Sequence, residues 1–261
     1  MKRLPLFAAL MTAGCLIAAC SPAAPPMPDL QGRYSDSFDG SGELTGWTAA
    51  RAQALPEVGR VDGRYRAALH HNRDDVTLHY KDRQGRLDAK PLRFPFEVIV
   101  RNIGIGGLQD SQQPHPAQEW AYNFAGLQVH VPDFEDTNSA HLVVGHRGET
   151  AFTVEGKNTR NGHSEVSDEG ANAAPQARAD LRIVGLADRS LRAYWQLPNP
   201  APGQQADDWK PYGGDGLLPG RAARYPEWVY VGLITYAQGD KGLPFVGTAD
   251  AIELVGEPTT E

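Results

Sequence analysis

A chain of 261 residues holds 25 Lys and Arg against 32 Asp and Glu, a formal charge of −7, and no run of basic residues interrupts that acidity. This excludes a nucleic-acid backbone or an anionic lipid surface as an electrostatic partner. Both cysteines, Cys15 and Cys20, lie near the start, so the rest of the chain must build its core without a disulfide, which its length allows.

In chain order, Lys2 and Arg3 precede a short apolar run, Leu4 to Ala19, that ends in small residues. That is the layout of an export signal, too short for an ordinary transmembrane helix. The run closes on "IAAC", Ile17 to Cys20, which resembles a bacterial lipobox. The resemblance implies cleavage before Cys20 and lipidation of its thiol. Thr12 puts a polar residue at the equivalent place before Cys15, so Cys20 is the expected anchor. Acyl chains there would hold firmly, since each buried methylene contributes about 0.8 kcal/mol. Ser21 after that cysteine, where an Asp would signal retention, favours the outer membrane by the same resemblance. "SPAAPPMPDLQ", Ser21 to Gln31, reads as an extended, semi-rigid spacer.

From Tyr34 onward, short runs of β-branched, aromatic and leucine residues are cut by Gly, Pro, Asn and Asp. The expected strands are Phe96 to Ile105, Phe124 to Val131, Ala140 to Arg147, Ala151 to Lys157, Ala179 to Ala187, Ser190 to Leu197, Trp228 to Ala237 and Ala249 to Gly256. Turn formers between several of them suit antiparallel hairpins. Thr45 to Glu57 comes nearest to an amphipathic helix and is cut short by Pro56. Two long irregular segments, Gly106 to Trp120 and Pro198 to Glu227, are candidates for functional loops. Strands without helices imply one all-β sandwich or barrel. The expected organisation is 1–19 signal, 20–33 lipidated cysteine and linker, 34–256 sandwich and 257–261 tail.

The order of these segments resembles the concanavalin A-like jelly-roll superfamily. "YSDSFDGSGELTGWTAA" is similar to its opening, "FAGLQVHV", "AHLVVGHR" and "DLRIVGLADRSLRAYWQL" to its central strands, and "YVGLITYAQG" with "FVGTADAIELV" to its closing pair. The resemblance implies a jelly-roll sandwich of two antiparallel sheets. It leaves function open, because lectins, laminin G-like modules, lyases and glucan hydrolases share that fold.

The hydrolases of that superfamily carry Glu-x-Asp-x-(x)-Glu on one strand, a spacing that lines carboxylates along one face. No such run occurs here. Glu165, Asp168 and Glu169 lie close together, but at the wrong spacing and among loop residues. There is also no Gly-x-Ser-x-Gly elbow and no His-Glu-x-x-His. The histidines match no common zinc spacing.

Strand alternation gives a different candidate. Ala125, Leu127, Val129 and Val131 should face inward, leaving Gly126, Gln128 and His130 outward. Leu191, Ala193, Trp195 and Leu197 likewise oppose Arg192, Tyr194 and Gln196, and Phe152 and Val154 oppose Thr153, Glu155 and Lys157. For Ala140 to Arg147 either His141 or His146 suits the polar side. If these strands are neighbours, Gln128, His130, Glu155, Arg192 and Tyr194 meet on one open sheet face, with Trp120 and Trp209 as walls. Such a mix of rings, amides and charges suits sugar hydroxyls.

The resemblance further implies a structural calcium where the first and last strands meet, with Asp39 and Asp250 in the matching places. The leading expectation is an outer-membrane lipoprotein whose sandwich binds carbohydrate without cutting it. A glycoside hydrolase or other sugar-modifying enzyme on the same fold, with Glu155, His130 or Glu119 as acid or base, and a protein-binding envelope module are the alternatives.

Overall fold

The computed structural model describes residues 25–70, 85–113, 122–147, 152–166, 172–198, 209–238 and 244–257. Among them run β1 (Thr48–Ala50), β2 (Glu57–Val61), β3 (Arg64–Leu69), β4 (Arg86–Arg93), β5 (Phe96–Gly106), β6 (Tyr122–His130), β7 (Ser139–Arg147) and β8 (Phe152–Arg160). Then follow β9 (His163–Ser164), β10 (Arg178–Gly185), β11 (Leu191–Gln196), β12 (Lys210–Pro211), β13 (Trp228–Gln238), β14 (Phe245–Ala249) and β15 (Ala251–Leu254). The described residues contain no α-helix, only a 3₁₀ turn at Tyr212–Gly214. Where the sequence came nearest to a helix, after Thr45, the chain forms β1 and a turn before entering β2 at Glu57.

Two antiparallel sheets face each other. The seven-stranded sheet runs β1-β4-β13-β6-β7-β8-β9, and the eight-stranded sheet runs β12-β11-β10-β5-β14-β3-β2, with β15 also paired to β5. Consecutive β14 and β15 take successive stretches of β5, Gly104 to Gly106 and then Val98 to Arg101. β5, eleven residues long, has room for both, and it carries a bulge opposite Ala179–Leu181, where Asn102 sits at φ 47°. The extra residue switches the inward parity: Val98 and Val100 point into the core before it, Ile103 and Ile105 after it.

Alternation puts Ala125, Leu127, Val129, Leu142, Val144, Val231 and Leu233 inside from one sheet, and Val98, Val100, Leu181, Ile183, Trp195 and Phe245 from the other. Each valine, leucine, isoleucine or phenylalanine among them contributes about 1.5–3 kcal/mol on burial, which is what drives the two sheets together. The β2–β3 hairpin turns on Asp62 and Gly63, both at positive φ (52° and 71°). That is the Asp-Gly turn whose twist matches paired strands.

Of the two long irregular segments, the described part of the second serves the sandwich itself. Tyr212, Leu218, Ala223 and Tyr225 belong to the core. β12 pairs with β11 of one sheet, while Asn158 on β8 of the other donates through Nδ2 to the Leu218 carbonyl (2.9 Å). The segment thus bridges one edge of each sheet.

The ends of the domain are tied together. Asp36 and Ile252 exchange backbone hydrogen bonds of 2.9 Å each, and the Glu257 carboxylate accepts from the amides of Tyr34 and Ser35. Tyr34 is buried, and its hydroxyl donates to the Val231 carbonyl (3.0 Å). Residues 25–27, within the expected extended, semi-rigid spacer, rest on the domain: Trp228 Nε1 donates to the Pro25 carbonyl (2.8 Å), and Met27 packs on the outer aromatic cluster of the seven-stranded sheet.

Candidate functional site

The outer face of the seven-stranded sheet can be read as rows of directly paired residues. One row runs Lys157, His141, Gln128, Gly232, Ala89. On one side of it lies the row Thr159, Ser139, His130, Tyr230, Pro91, and on the other Glu155, Val143, Gly126, Ile234, Leu87. The middle row is polar at one end and nearly bare at Gly232 and Ala89, so its floor is low there. Opposed residues in such rows lie about 4.5–5.5 Å apart, so the imidazole of His141 and the amide of Gln128 are immediate neighbours.

Aromatic rings frame this patch. Tyr236 stacks on His141 with centroids 5.6 Å apart. Phe134, from the loop after β6, lies 5.4 Å from His130 and stacks on Tyr230 at 4.6 Å. The face was expected to be open, but it is sheltered. Gln128, His130 and His141 are each 3% exposed or less, and Glu155 and Lys157 are also buried.

Sheltered polar atoms need partners. Gln128 Nε2 has a long contact to Ser139 Oγ (3.5 Å), yet Gln128 Oε1, His130 Nε2 and His141 Nε2 are buried with no hydrogen-bond partner among the described residues. His130 Nδ1 lies 2.8 Å from the Val131 carbonyl, so Nδ1 carries the proton and Nε2 is an acceptor in the neutral ring. The patch therefore offers at least two unfilled acceptors, which call for incoming O–H or N–H donors.

Burial holds the His130 pKa below the ordinary value, against the opposing pull of the Val131 carbonyl. Burial, and then the charge of Lys157, hold His141 well below it. Both rings are neutral in the folded protein at neutral pH, whereas the unfolded chain takes up protons near about pH 6.5. Their contribution to stability is therefore complete above that value and is lost as the pH falls toward the depressed folded values. The urea midpoint should drop between about pH 7 and about pH 5, and His141→Asn should flatten that slope. An unchanged slope in the variant would contradict the assignment.

The other expected site residues fall elsewhere. Arg192 and Tyr194 do point outward, but β11 belongs to the eight-stranded sheet, so they lie across the core from Gln128, His130 and Glu155. Alternation fixes which side of a strand a residue takes, not which sheet that strand joins. Trp209 is also on that far side, stacked over Arg101 and Arg182 at 5.8 Å each, while Arg182 also covers the Tyr194 ring at 5.0 Å. Arg182 pairs with Glu97 (2.9 Å) and Arg101 with Glu253 (3.1 Å), so these rings pack on ion pairs internal to the fold. Trp120, Glu119 and Cys20 lie outside the described residues. Sequence reasoning left His141 ambiguous and passed over Tyr236, Tyr230 and Phe134; Tyr230 and Tyr236 were readable from the alternation of Trp228 to Ala237.

The calcium expectation does not fit the residues present. Asp39 is exposed and accepts from Ser37 Oγ (2.6 Å). Asp250 faces the Arg64 guanidinium (2.9 Å) and accepts from Asn102 Nδ2 (2.9 Å). At the junction of the first and last strands it is Asp36 that holds a cation, Arg60 (2.8 Å). Among the described residues, no three His, Cys, Asp or Glu gather as a metal site.

No family model matches the sequence, and no curated protein does. Among solved structures, a xylan β-1,4-xylosidase from Bacillus halodurans C-125 aligns over 89% of this chain at TM-score 0.54 and 17% identity. The chain spans only 41% of that enzyme's length. A functionally unknown protein from Saccharomyces cerevisiae aligns over 84% of this chain and all of its own at TM-score 0.54 and 12% identity. A Bacillus licheniformis β-glucanase aligns over 87% of this chain and 99% of its own at TM-score 0.45 and 11% identity. The fold is that of a concanavalin A-like jelly roll. In this jelly roll the sheltered patch lies on the seven-stranded sheet, framed by β13, β6, β7 and β8.

Proposed function

We propose that the chain is a lipoprotein, anchored through Cys20 in the outer membrane, whose sandwich binds carbohydrate on the outer face of the seven-stranded sheet without cutting it. The observation that carries this reading is the pair of buried, unfilled acceptors, Gln128 Oε1 and His130 Nε2, between the rings of Tyr230 and Tyr236. Sugar hydroxyls supply the missing donors, and sugar C–H faces suit the rings. A glycosidase needs two carboxyl groups across the scissile bond. Among the described strand residues of this face, Glu155 is the one carboxylate, which favours binding over hydrolysis.

The test is retention of the purified protein on immobilised polysaccharides. Xylan comes first, because the aligned enzyme is a xylosidase. Gln128→Leu removes an acceptor while keeping the volume and should weaken retention by ~10-fold, the scale of one lost hydrogen bond to a buried group. Retention that the variant keeps in full would move the site elsewhere. Release of reducing ends would establish the hydrolase reading instead.

A further inference from the structure

A second row of paired residues crosses the opposite sheet on its outer side: Arg178 on β10, Gly104 on β5, Thr248 on β14, Arg66 on β3 and Gly59 on β2. Gly104 has no side chain, and a Cβ there would fall 2.6 Å from Arg178 Cγ. That gap lets the Arg178 side chain lie across β5 and donate from Nη2 to Thr248 Oγ1 (2.7 Å). The same nitrogen donates to the Ser111 carbonyl, and Nη1 to the Asn102 carbonyl (2.9 Å).

Arg178 is only 4% exposed, yet each of these acceptors is neutral. Its Nε is buried with no partner among the described residues. A buried guanidinium without a bonded carboxylate is costly to keep. Burial and the like charge of Arg64 bring its pKa down to about 10. Arg66, on the other flank of Thr248, has no ion pair among the described residues. The nearby acids are engaged or peripheral: Asp250 faces Arg64, Asp110 Oδ1 accepts from the Gln112 amide, and Asp62 is exposed at the hairpin turn.

Thr248, Arg66, Arg64, Ser111, Leu108 and Gln109 line a cavity of about 420 Å³, within the size range of small-molecule sites. Arg64 and Arg66 line it beside the Thr248 hydroxyl, together with Val61, Leu108 and Asp62, and Arg178 sits behind that lining, bonded to the Thr248 hydroxyl (2.7 Å) and the Ser111 carbonyl. Arginine pairs in forked fashion with planar or tetrahedral oxyanions, which makes it the preferred residue for such groups. We propose that this cavity binds the carboxylate of a sugar-sized acidic ligand, held by Arg66 and by the Thr248 hydroxyl, whose oxygen accepts from the buried Arg178 behind it and whose O–H is left to donate to the ligand. The site is separate from the sheltered patch on the other sheet and does not depend on it.

The experiment is an amide-resolved NMR titration of the protein with glucuronate, glucose and acetate. Glucuronate should shift the Arg66, Thr248 and Ser111 amides saturably, glucose should leave them in place, and inorganic sulfate should compete. Glucuronate binding at least ~10-fold tighter than acetate assigns the remaining volume to a sugar ring. Equal affinities would overturn that assignment and leave a bare carboxylate as the ligand. Arg66→Ala, at a half-exposed position, should weaken glucuronate at least ~10-fold with an unchanged unfolding midpoint. Gln128→Leu, on the far sheet, should leave glucuronate binding intact, so a failure of either site is seen separately. No saturable shift, or full affinity in Arg66→Ala, overturns the proposal.

Discussion

Replacing Asp88 by alanine should cost about 3–5 kcal/mol of folding stability, the penalty for leaving a buried charge without its partner. Asp88 points inward from β4 and is 1% exposed. Arg86, two residues away on the same side of the strand, reaches its carboxylate with Nε at 3.0 and 3.1 Å and with Nη2 at 2.9 Å. From the opposite sheet, the Tyr65 hydroxyl donates to the same carboxylate at 3.0 Å. One group therefore neutralises a guanidinium and links two sheets. Without it, Arg86 keeps only carbonyl partners, chiefly Leu55 (2.9 Å). Removing both charges, as Asp88→Leu with Arg86→Met, should recover most of the loss, since buried pairs are often replaceable by packed apolar groups. Urea unfolding of the three proteins checks this; a loss under about 1 kcal/mol for Asp88→Ala would mean the pair is effectively solvated.

Phe38→Ala should be similarly damaging, at about 3–5 kcal/mol for a large buried ring. Phe38 is fully buried, between Trp47 at 6.0 Å and Tyr65 at 5.7 Å. Its backbone sits at φ 54°, a conformation that costs a non-glycine residue roughly 1–2 kcal/mol. The Asp36 carboxylate holds it there by accepting the Phe38 amide (2.8 Å). Phe38→Gly loses the same ring but relieves the backbone, so it should be no less stable than Phe38→Ala. Neighbouring Asp39, exposed beside it, is the internal control: Asp39→Asn should change stability by no more than about 0.5 kcal/mol. Calorimetric midpoints would order the three, and a glycine variant clearly below alanine would refute the backbone argument.

These two residues also show what was legible beforehand. The "SFDG" motif pointed to a meaningful opening, but in the sequence its aspartate stood out as a ligand. In the fold, Phe38 and Asp36 are the residues that matter. Alternation placed Leu127 and Val129 inside and Gln128 and His130 outside, because a period of two survives any choice of partner strand. It also placed Arg192 and Tyr194 outside correctly, yet on the wrong sheet, because pairing between strands far apart in the chain leaves no local signal. His141 and His146 could not be separated until register was known: His141 opposes Gln128 on the outer face, and His146 opposes Asn123 on the core side. Arg178 gave no hint, since its importance comes from the gap above Gly104. The β2–β3 hairpin was readable from Asp62-Gly63 and was passed over.

The docking of Pro25 on Trp228 bears on which way the molecule faces. Only four residues lie between Cys20 and Pro25, five steps along the chain that reach at most about 18 Å even when fully extended. If Cys20 carries the lipid, the end of the seven-stranded sheet where β13 begins at Trp228 hovers close above the bilayer instead of swinging on a long leash. A glycan bound at the sheltered patch, as proposed, would then be met in the thin layer next to the membrane, where short or chain-end saccharides arrive more easily than the middle of a bulky polymer.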